Sequence, residues 1–374
     1  MLLWTCLWVL FALLVPYGLA FITIMVYSRK YDVSRLMRTV TELPTVSVVI
    51  PTYNEAAIVK KKIENTMQLD YPADKLELVI VDCSTDATPE IVQNLSKTYP
   101  QIRLIRETER KGLATSLNIG YSSSNGKVVV KSDCDAITLT NDALKRTAAL
   151  LENPELGGVA GICIGESDVE ATFRSLQVTQ QKAESQIDST IVAHGSFTAF
   201  RRDLMPTIDP TSFADDTELF MKVRRKGRRV VVDTGIRTYE AYKNVPFRRL
   251  GQRSRRAAGI IRVLLENLDL FVSDMDWRFS CVVYPMNLLM LVLLPWSLLL
   301  GISASLVALW TVSSQLAMGF ALLALLVIGG AVVGRPRSLA SLLDIVVSSA
   351  LGQLDLLGRK PHHIWEKSST NESS

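Results

Sequence analysis

Cysteine is sparse in this chain and never falls at a paired spacing. Five are scattered through 374 residues: Cys6, Cys83, Cys134, Cys163 and Cys281. That pattern argues against a disulfide framework and against a zinc site, and it suits a reducing compartment. Charge of one sign is lacking too. The 41 Lys and Arg stand against 37 Asp and Glu, a net charge of +4, which does not favour nucleic acid as a partner. No internal repeat is present. No G-x-G-x-x-G turn follows the apolar run that ends at Ile50, so the phosphate turn of the dinucleotide dehydrogenases is missing.

Two long stretches, residues 2–28 and 279–334, have no charge at all. The first is long enough for one transmembrane helix (residues 1–28). The second is long enough for two, with a break expected near Gly301 or near residues 311–315. No basic segment precedes the first run and no small-residue cleavage site precedes Tyr27, so a retained anchor is expected rather than a signal peptide. Arg29, Lys30, Arg35 and Arg38 follow the first run, and Arg335 and Arg337 the second. By the positive-inside tendency these flanks are cytoplasmic, which makes residues 45–275 a cytoplasmic domain of an integral membrane protein. Leu339, Leu343, Val346, Ala350, Leu354 and Leu357 recur at helical spacing, opposite Ser341, Ser348, Gly352 and Asp355. Residues 338–358 therefore read as an amphipathic helix lying in the membrane interface. A polar tail, residues 359–374, follows.

Between the uncharged runs, strand and helix patterns alternate. Residues 46–50, 76–81, 102–105 and 127–131 are apolar runs of strand length, and 56–69, 88–96 and 112–121 have helical periodicity. The alternation predicts an α/β fold with a mostly parallel sheet covered on both faces. Further on, strands over 157–165, 195–201 and 229–233 and helices over 169–192 and 216–225 make a mixed second half suited to an acceptor pocket.

Asp133-Cys134-Asp135 ends the apolar run Val128-Val129-Val130. A strand that stops on two carboxylates presents both at its C-terminal edge, where open α/β sheets bind ligands. Hard oxygen donors there suit a divalent cation, and the cation suits a diphosphate. Four more segments fit that reading: Pro51-Thr52-Tyr53-Asn54-Glu55, Asp82-Cys83-Ser84-Thr85-Asp86, Asp215-Asp216 and Gln252-Arg253-Ser254-Arg255.

Taken in this order, the segments resemble the membrane-bound family 2 glycosyltransferases, inverting enzymes of GT-A fold. The family includes the cellulose, hyaluronan and poly-N-acetylglucosamine synthases and the ceramide glucosyltransferases. The likeness runs from about Val46 to Arg262. It implies that Pro51, Tyr53 and Glu55 lie beside the nucleoside, that Asp82 accepts a hydrogen bond from the base, and that Lys111 approaches the nucleotide. Asp133 and Asp135 match the D-x-D of the family. The resemblance puts Asp135 on Mg²⁺ or Mn²⁺, and Asp133 on the metal or the ribose. Asp216 falls on the catalytic aspartate of T-E-D. Asp215 replaces the Glu and is expected to cap the helix, and Ala214 replaces the Thr. Gln252 and Arg255 match Q-x-x-R-W, with Arg255 facing the diphosphate. Arg256 stands in place of the Trp, which counts against processive elongation. The segment from His194 to Arg201 resembles the strand lining the acceptor site, which leaves His194 either a contact to acceptor or diphosphate or a structural residue at the strand start.

The resemblance thus implies a membrane-anchored, metal-dependent inverting glycosyltransferase. Its donor is a nucleotide sugar, with a UDP-sugar expected, and its acceptor is lipid-linked or a glycan. Three alternatives stand beside it. One is a processive polysaccharide synthase. Another is a polyprenyl-phosphate sugar synthase, against which the Q-x-x-R segment counts. The third is a non-catalytic membrane scaffold or transporter, against which the three surviving carboxylates Asp133, Asp135 and Asp216 count.

Overall fold

The computed structural model describes residues 1–164, 168–193, 195–240, 246–273, 275–332 and 337–358. Helix α1 (Leu2–Lys30) comes first. The α/β segment follows as β1 (Val46–Thr52), α2 (Val59–Met67), β2 (Leu76–Asp82), α3 (Thr88–Ser96), β3 (Ile102–Arg106), α4 (Leu113–Ser123) and β4 (Val128–Lys131). The second half adds β5 (Ala136–Thr138), α5 (Ala143–Leu151), β6 (Leu156–Ile164), α6 (Asp168–Ile187), β7 (Thr198–Arg201), α7 (Asp215–Arg225), β8 (Arg229–Glu240) and α8 (Pro246–Leu265).

The strands make one sheet in the order β3-β2-β1-β4-β7-β6-β8-β5. Successive side chains on a strand point to opposite faces. Val46, Val48 and Ile50 therefore join one core with Leu78, Ile80 and Val130, beneath Ile63 of α2 and Val92 of α3. Val49, Val79, Val81 and Val129 join the other, beneath Leu117 and Tyr121 of α4 and Leu219 and Phe220 of α7. Coverage on both faces is why these strands read as continuous apolar runs. Gly120 lets α4 settle onto β1, since a Cβ there would collide with the Val49 side chain.

β1 pairs in parallel with β2 on one side and β4 on the other, and β2 with β3. The chain thus winds away from β1 through β3 and returns across it to β4. The crevice at the C-terminal ends of β1 and β4 is a topological switch point, the usual ligand site of such sheets. The second half departs from the parallel pattern. β7 lies antiparallel to both β4 and β6, and β5 antiparallel to β8, while β6 and β8 run parallel.

Helix α6 ends at Ile187, short of the expected residue 192. Beyond it the Thr190 amide donates to the Val230 carbonyl at 2.9 Å, and Thr190 Oγ1 to Glu184 Oε2 at 3.0 Å. Strand β8 continues past Asp233 to Glu240 because its far half pairs with β5.

Three helices among the described residues, Leu2–Lys30, Phe279–Val312 and Arg337–Leu357, are long and apolar enough to cross a membrane, and Ser314–Gly330 is a shorter apolar helix. The uncharged run 279–334 breaks at Ser313 (φ −162°, ψ 128°), inside the second of the two expected regions. Tyr17 Oη donates to Ser297 Oγ at 2.9 Å and ties α1 to the Phe279–Val312 helix. The polar side of the Arg337–Leu357 helix turns inward against α8. Ser341, Ser348 and Gly352 are buried, whereas Leu342, Leu351, Leu354 and Leu357 are exposed. The tail 359–374, Arg335 and His194 lie outside the described residues.

Candidate active site

The turns after β1 and β2 are tied together by their short polar side chains. Asn54 adopts left-handed backbone (φ 55°), which asparagine tolerates better than most residues. Its amide donates to Ser84 Oγ at 2.7 Å, and its Oδ1 accepts from the Thr85 amide at 2.9 Å. The Glu55 amide donates to Thr88 Oγ1 at 2.9 Å. Asp86 braces the start of α3, accepting from the Thr88 and Ala56 amides. Asp82 is fully buried. Its carboxylate accepts from Thr52 Oγ1 at 2.7 Å and Ser84 Oγ at 2.5 Å, and it pairs with Arg106. Pro51 sits in β1 opposite Val81. The Arg110 guanidinium stacks 3.8 Å from the Tyr53 ring centroid. Lys111 is exposed, 3.9 Å from Glu109, and precedes Gly112, whose φ of 98° turns the chain into α4.

Lys131, the last residue of β4, gathers the acidic residues of the site. It is 1% exposed. Its Nζ lies 2.5 Å from Asp215 Oδ2, 2.9 Å from Asp216 Oδ1 and 3.6 Å from Asp133 Oδ1. Asp215 and Asp216 open α7, where the positive end of the helix dipole favours carboxylates. The expectation that Asp215 caps this helix is corrected. The cap position is Ala214, without a side-chain bond, and Asp215 holds Lys131 instead. Gly195 borders the same cluster. A Cβ there would lie 2.6 Å from Asp133 Oδ2, 2.7 Å from Lys131 Nζ and 2.9 Å from Asp216 Oδ2. Glycine leaves that space open where the D-x-D carboxylate and the expected catalytic aspartate converge.

Burial pushes Asp133 up to about 8, helped by Asp135, Asp216 and Glu240 and opposed by Lys131. Burial and Glu240 raise Asp135, and Arg256 opposes them. Asp216 is pushed up to about 6 by burial and by Asp215, against the pull of Lys131 and Arg256. Burial also works against the Lys131 ammonium, but Asp133, Asp215 and Asp216 outweigh it and hold that group well above its ordinary value. A carboxylate pair that resists ionisation in this way gains from a bound cation. Two hard oxygen donors fit Mg²⁺ or Mn²⁺. Among the described residues no group of three or more His, Cys, Asp or Glu is placed to hold a metal ion. A diphosphate and water would complete the coordination.

Helix α8 crosses close to the start of α7. A Cβ on Gly259 would lie 2.8 Å from Ala214 Cβ, so small residues on both helices permit the approach. Arg255 and Arg256 stand one turn earlier. Burial and Arg256 lower the pKa of Arg255, and Asp215 opposes them. The charge of Arg256 acts on Asp135 and Asp216. Gln252 is partly buried a turn before that. Arg253 makes its contacts with other elements. It pairs with Asp344 at 2.5 Å and with Glu170, and lies 4.0 Å from the Phe173 ring centroid. Helix α8 thus carries both residues near the acidic cluster and a residue that ties it to α6 and to the Arg337–Leu357 helix.

The structure brings Asp133, Asp135, Asp216, Arg255 and Arg256 into one electrostatic neighbourhood. Lys131 and Arg110 were missed by sequence reasoning. The available signal for Lys131 was a lysine closing an otherwise apolar strand.

A sequence model of glycosyl transferase family 2 matches residues 47–208, and one of glycosyl transferase family group 2 matches residues 128–330. Among solved structures the chain is similar to the mannosyltransferase PcManGT from Pyrobaculum calidifontis in complex with GDP-Man and Mn²⁺. The TM-score is 0.75 at 26% identity, covering 96% of this chain and 100% of that one. Among curated proteins it is 27% identical over 245 residues to the probable glycosyltransferase YdaM of Bacillus subtilis (strain 168), covering 62% of this chain and 58% of the relative. It is 33% identical over 119 residues to the beta-monoglucosyldiacylglycerol synthase of Synechocystis sp. (strain PCC 6803), covering 31% of this chain and 25% of the relative. The chain therefore spans less than two thirds of the length of these curated relatives. The second family model covers more than half of the chain, and with a structural likeness over nearly all of it the conclusion is that the chain belongs to glycosyl transferase family group 2.

Proposed function

We propose that this chain is a membrane-anchored, metal-dependent, inverting glycosyltransferase that moves a sugar from a nucleotide sugar to a lipid-linked or glycan acceptor. The observation that carries the reading is the convergence of Asp133 Oδ2, Lys131 Nζ and Asp216 Oδ2 around the space left by Gly195. Asp216 takes the proton from an acceptor hydroxyl. The acceptor oxygen then bonds to the anomeric carbon as the bond to the diphosphate breaks, so an α-linked donor gives a β-linkage. Lys131 holds Asp216 in place and keeps it ionised. Arg255, with Gln252 beside it, meets the charge of the departing diphosphate. When bound at Asp133 and Asp135, Mg²⁺ or Mn²⁺ supplies Lewis-acid stabilisation of the same charge. Pro51, Tyr53, Glu55, Asp82 and Lys111 shape the nucleoside side.

A UDP-sugar is the expected donor. A second reading, a GDP-linked donor, is favoured by the near full-length likeness to a mannosyltransferase in complex with GDP-Man. A lipid-linked acceptor is supported by the outward leucines of the Arg337–Leu357 helix beside α8, and a cytoplasmic catalytic domain by the basic residues that flank the apolar helices. The test is to incubate purified full chain with UDP- and GDP-sugars, Mn²⁺ and lipid acceptors, and to identify products by mass spectrometry. Acceptor-dependent release of nucleoside diphosphate supports the transferase reading over a scaffold. No transfer from any donor would defeat it.

A further inference from the structure

The D-C-D turn between β4 and β5 has no regular structure of its own, yet its carboxylates must hold a fixed geometry to act together. Two side chains of α2 grip it from behind. Lys62 is 1% exposed. Its Nζ donates to Ser132 Oγ at 2.7 Å and to the Ala136 carbonyl at 2.5 Å, residues that flank Asp133 and Asp135 on either side. Three residues on, and so on the same helix face, Asn65 Nδ2 donates to the Thr138 carbonyl at 2.9 Å and its Oδ1 accepts from the Thr138 amide at 2.9 Å. Ser132 Oγ donates in turn to the Ser196 carbonyl at 2.7 Å, which extends the grip to the residue after Gly195. An ammonium is buried favourably only where its hydrogen bonds are made and opposite charge is near. Burial lowers the Lys62 pKa to about 8, and Asp133, Asp135 and Glu240 are among the groups that oppose it. Core packing alone would be met by an apolar side chain, so it does not account for a lysine here.

We propose that Lys62 and Asn65 are positioning residues for the transfer reaction, clamping the entry and exit of the D-C-D turn so that Asp133 and Asp135 address one ligand. The inference rests on the nucleotide-sugar reading of that turn. It is tested on the purified full chain as parent, Lys62→Met and Asn65→Ala, by hydrogen–deuterium exchange and by calorimetric titration with Mn²⁺. The clamp predicts amides in residues 132–138 exchanging about tenfold faster in both variants, with β1 and β2 unchanged. It also predicts a Mn²⁺ dissociation constant raised about 10- to 100-fold, and kcat falling more than KM for donor rises. Asn65→Ala is the milder change and decides the matter should Lys62→Met fail to fold. A merely structural role would lower the melting temperature and leave exchange in the turn at the parent rate. Parent-like exchange at residues 132–138 in a folded variant overturns the clamp. If the parent binds no Mn²⁺, the metal reading fails, and the exchange rates still decide for or against the clamp.

Discussion

Lys131 is the residue on which the chemistry of the site turns, because one buried ammonium serves Asp133, Asp215 and Asp216. Removing it as Lys131→Met leaves buried carboxylates without their counter-charge. Breaking a buried pair in this way costs about 3–5 kcal/mol, so the variant should melt far below the parent by circular dichroism and lose activity. The pH dependence follows from Asp216. Burial and the neighbouring Asp215 push its carboxyl up from 3.8 to about 6. A base works only when ionised, and below its pKa the ionised fraction falls. With Asp216 as the base, kcat/KM should therefore drop as pH falls through about 6; an acid limb near the ordinary carboxylate value would rule that role out. Asp133, Asp135 and Asp216 were legible in sequence because carboxylates at a strand end and at a helix start stand out locally. Lys131 and the role of Asp215 were not, because their meaning lies in a partner some 84 positions away along the chain.

Among the elements, α8 matters most, since it carries Gln252, Arg255 and Arg256 and is held between α7 and the Arg337–Leu357 helix. Gly352 sets the second contact. A Cβ there would lie 2.7 Å from the Ala258 amide nitrogen and 2.8 Å from the Ser254 carbonyl oxygen. Gly352→Val must push the helices apart and strain the Ser254–Asp355 and Arg253–Asp344 bonds. Turnover should fall by about a hundredfold, as an ångström of misplacement does elsewhere, with the α/β sheet intact by circular dichroism. Parent turnover in that variant would show that the brace is idle. The strand-and-helix alternation from β1 to β4 was readable because both faces of the sheet are buried. The end of α6 was not, because Glu184 recruits Thr190 and Ile191 after the helix, which a polar helical pattern does not reveal. The Arg337–Leu357 helix was recognised from its periodicity, but its polar side meets α8, a partner that periodicity cannot name.

On the scale of the whole molecule, the uncharged runs announced the apolar helices, and the order of motifs announced the GT-A domain. Sheet order was not legible, since the antiparallel insertion of β7 between β4 and β6 is decided by contacts distant in sequence. The proposed topology puts the sheet and the Ser313 break on opposite sides of the membrane. In a cysteine-free background, a cysteine at Ser313 should react with an impermeant thiol reagent on intact cells, and one at exposed Asn125 should not. The reverse labelling pattern would invert the topology. One-step transfer with Asp216 as base can be checked by comparing parent and Asp216→Asn at saturating donor and Mn²⁺, with the anomeric configuration of the product read by NMR. The product should carry an inverted linkage, and kcat in the variant should be lower by roughly 10² to 10⁴, with donor affinity little changed. Parental turnover in Asp216→Asn, or a product that retains the donor's configuration, would contradict it.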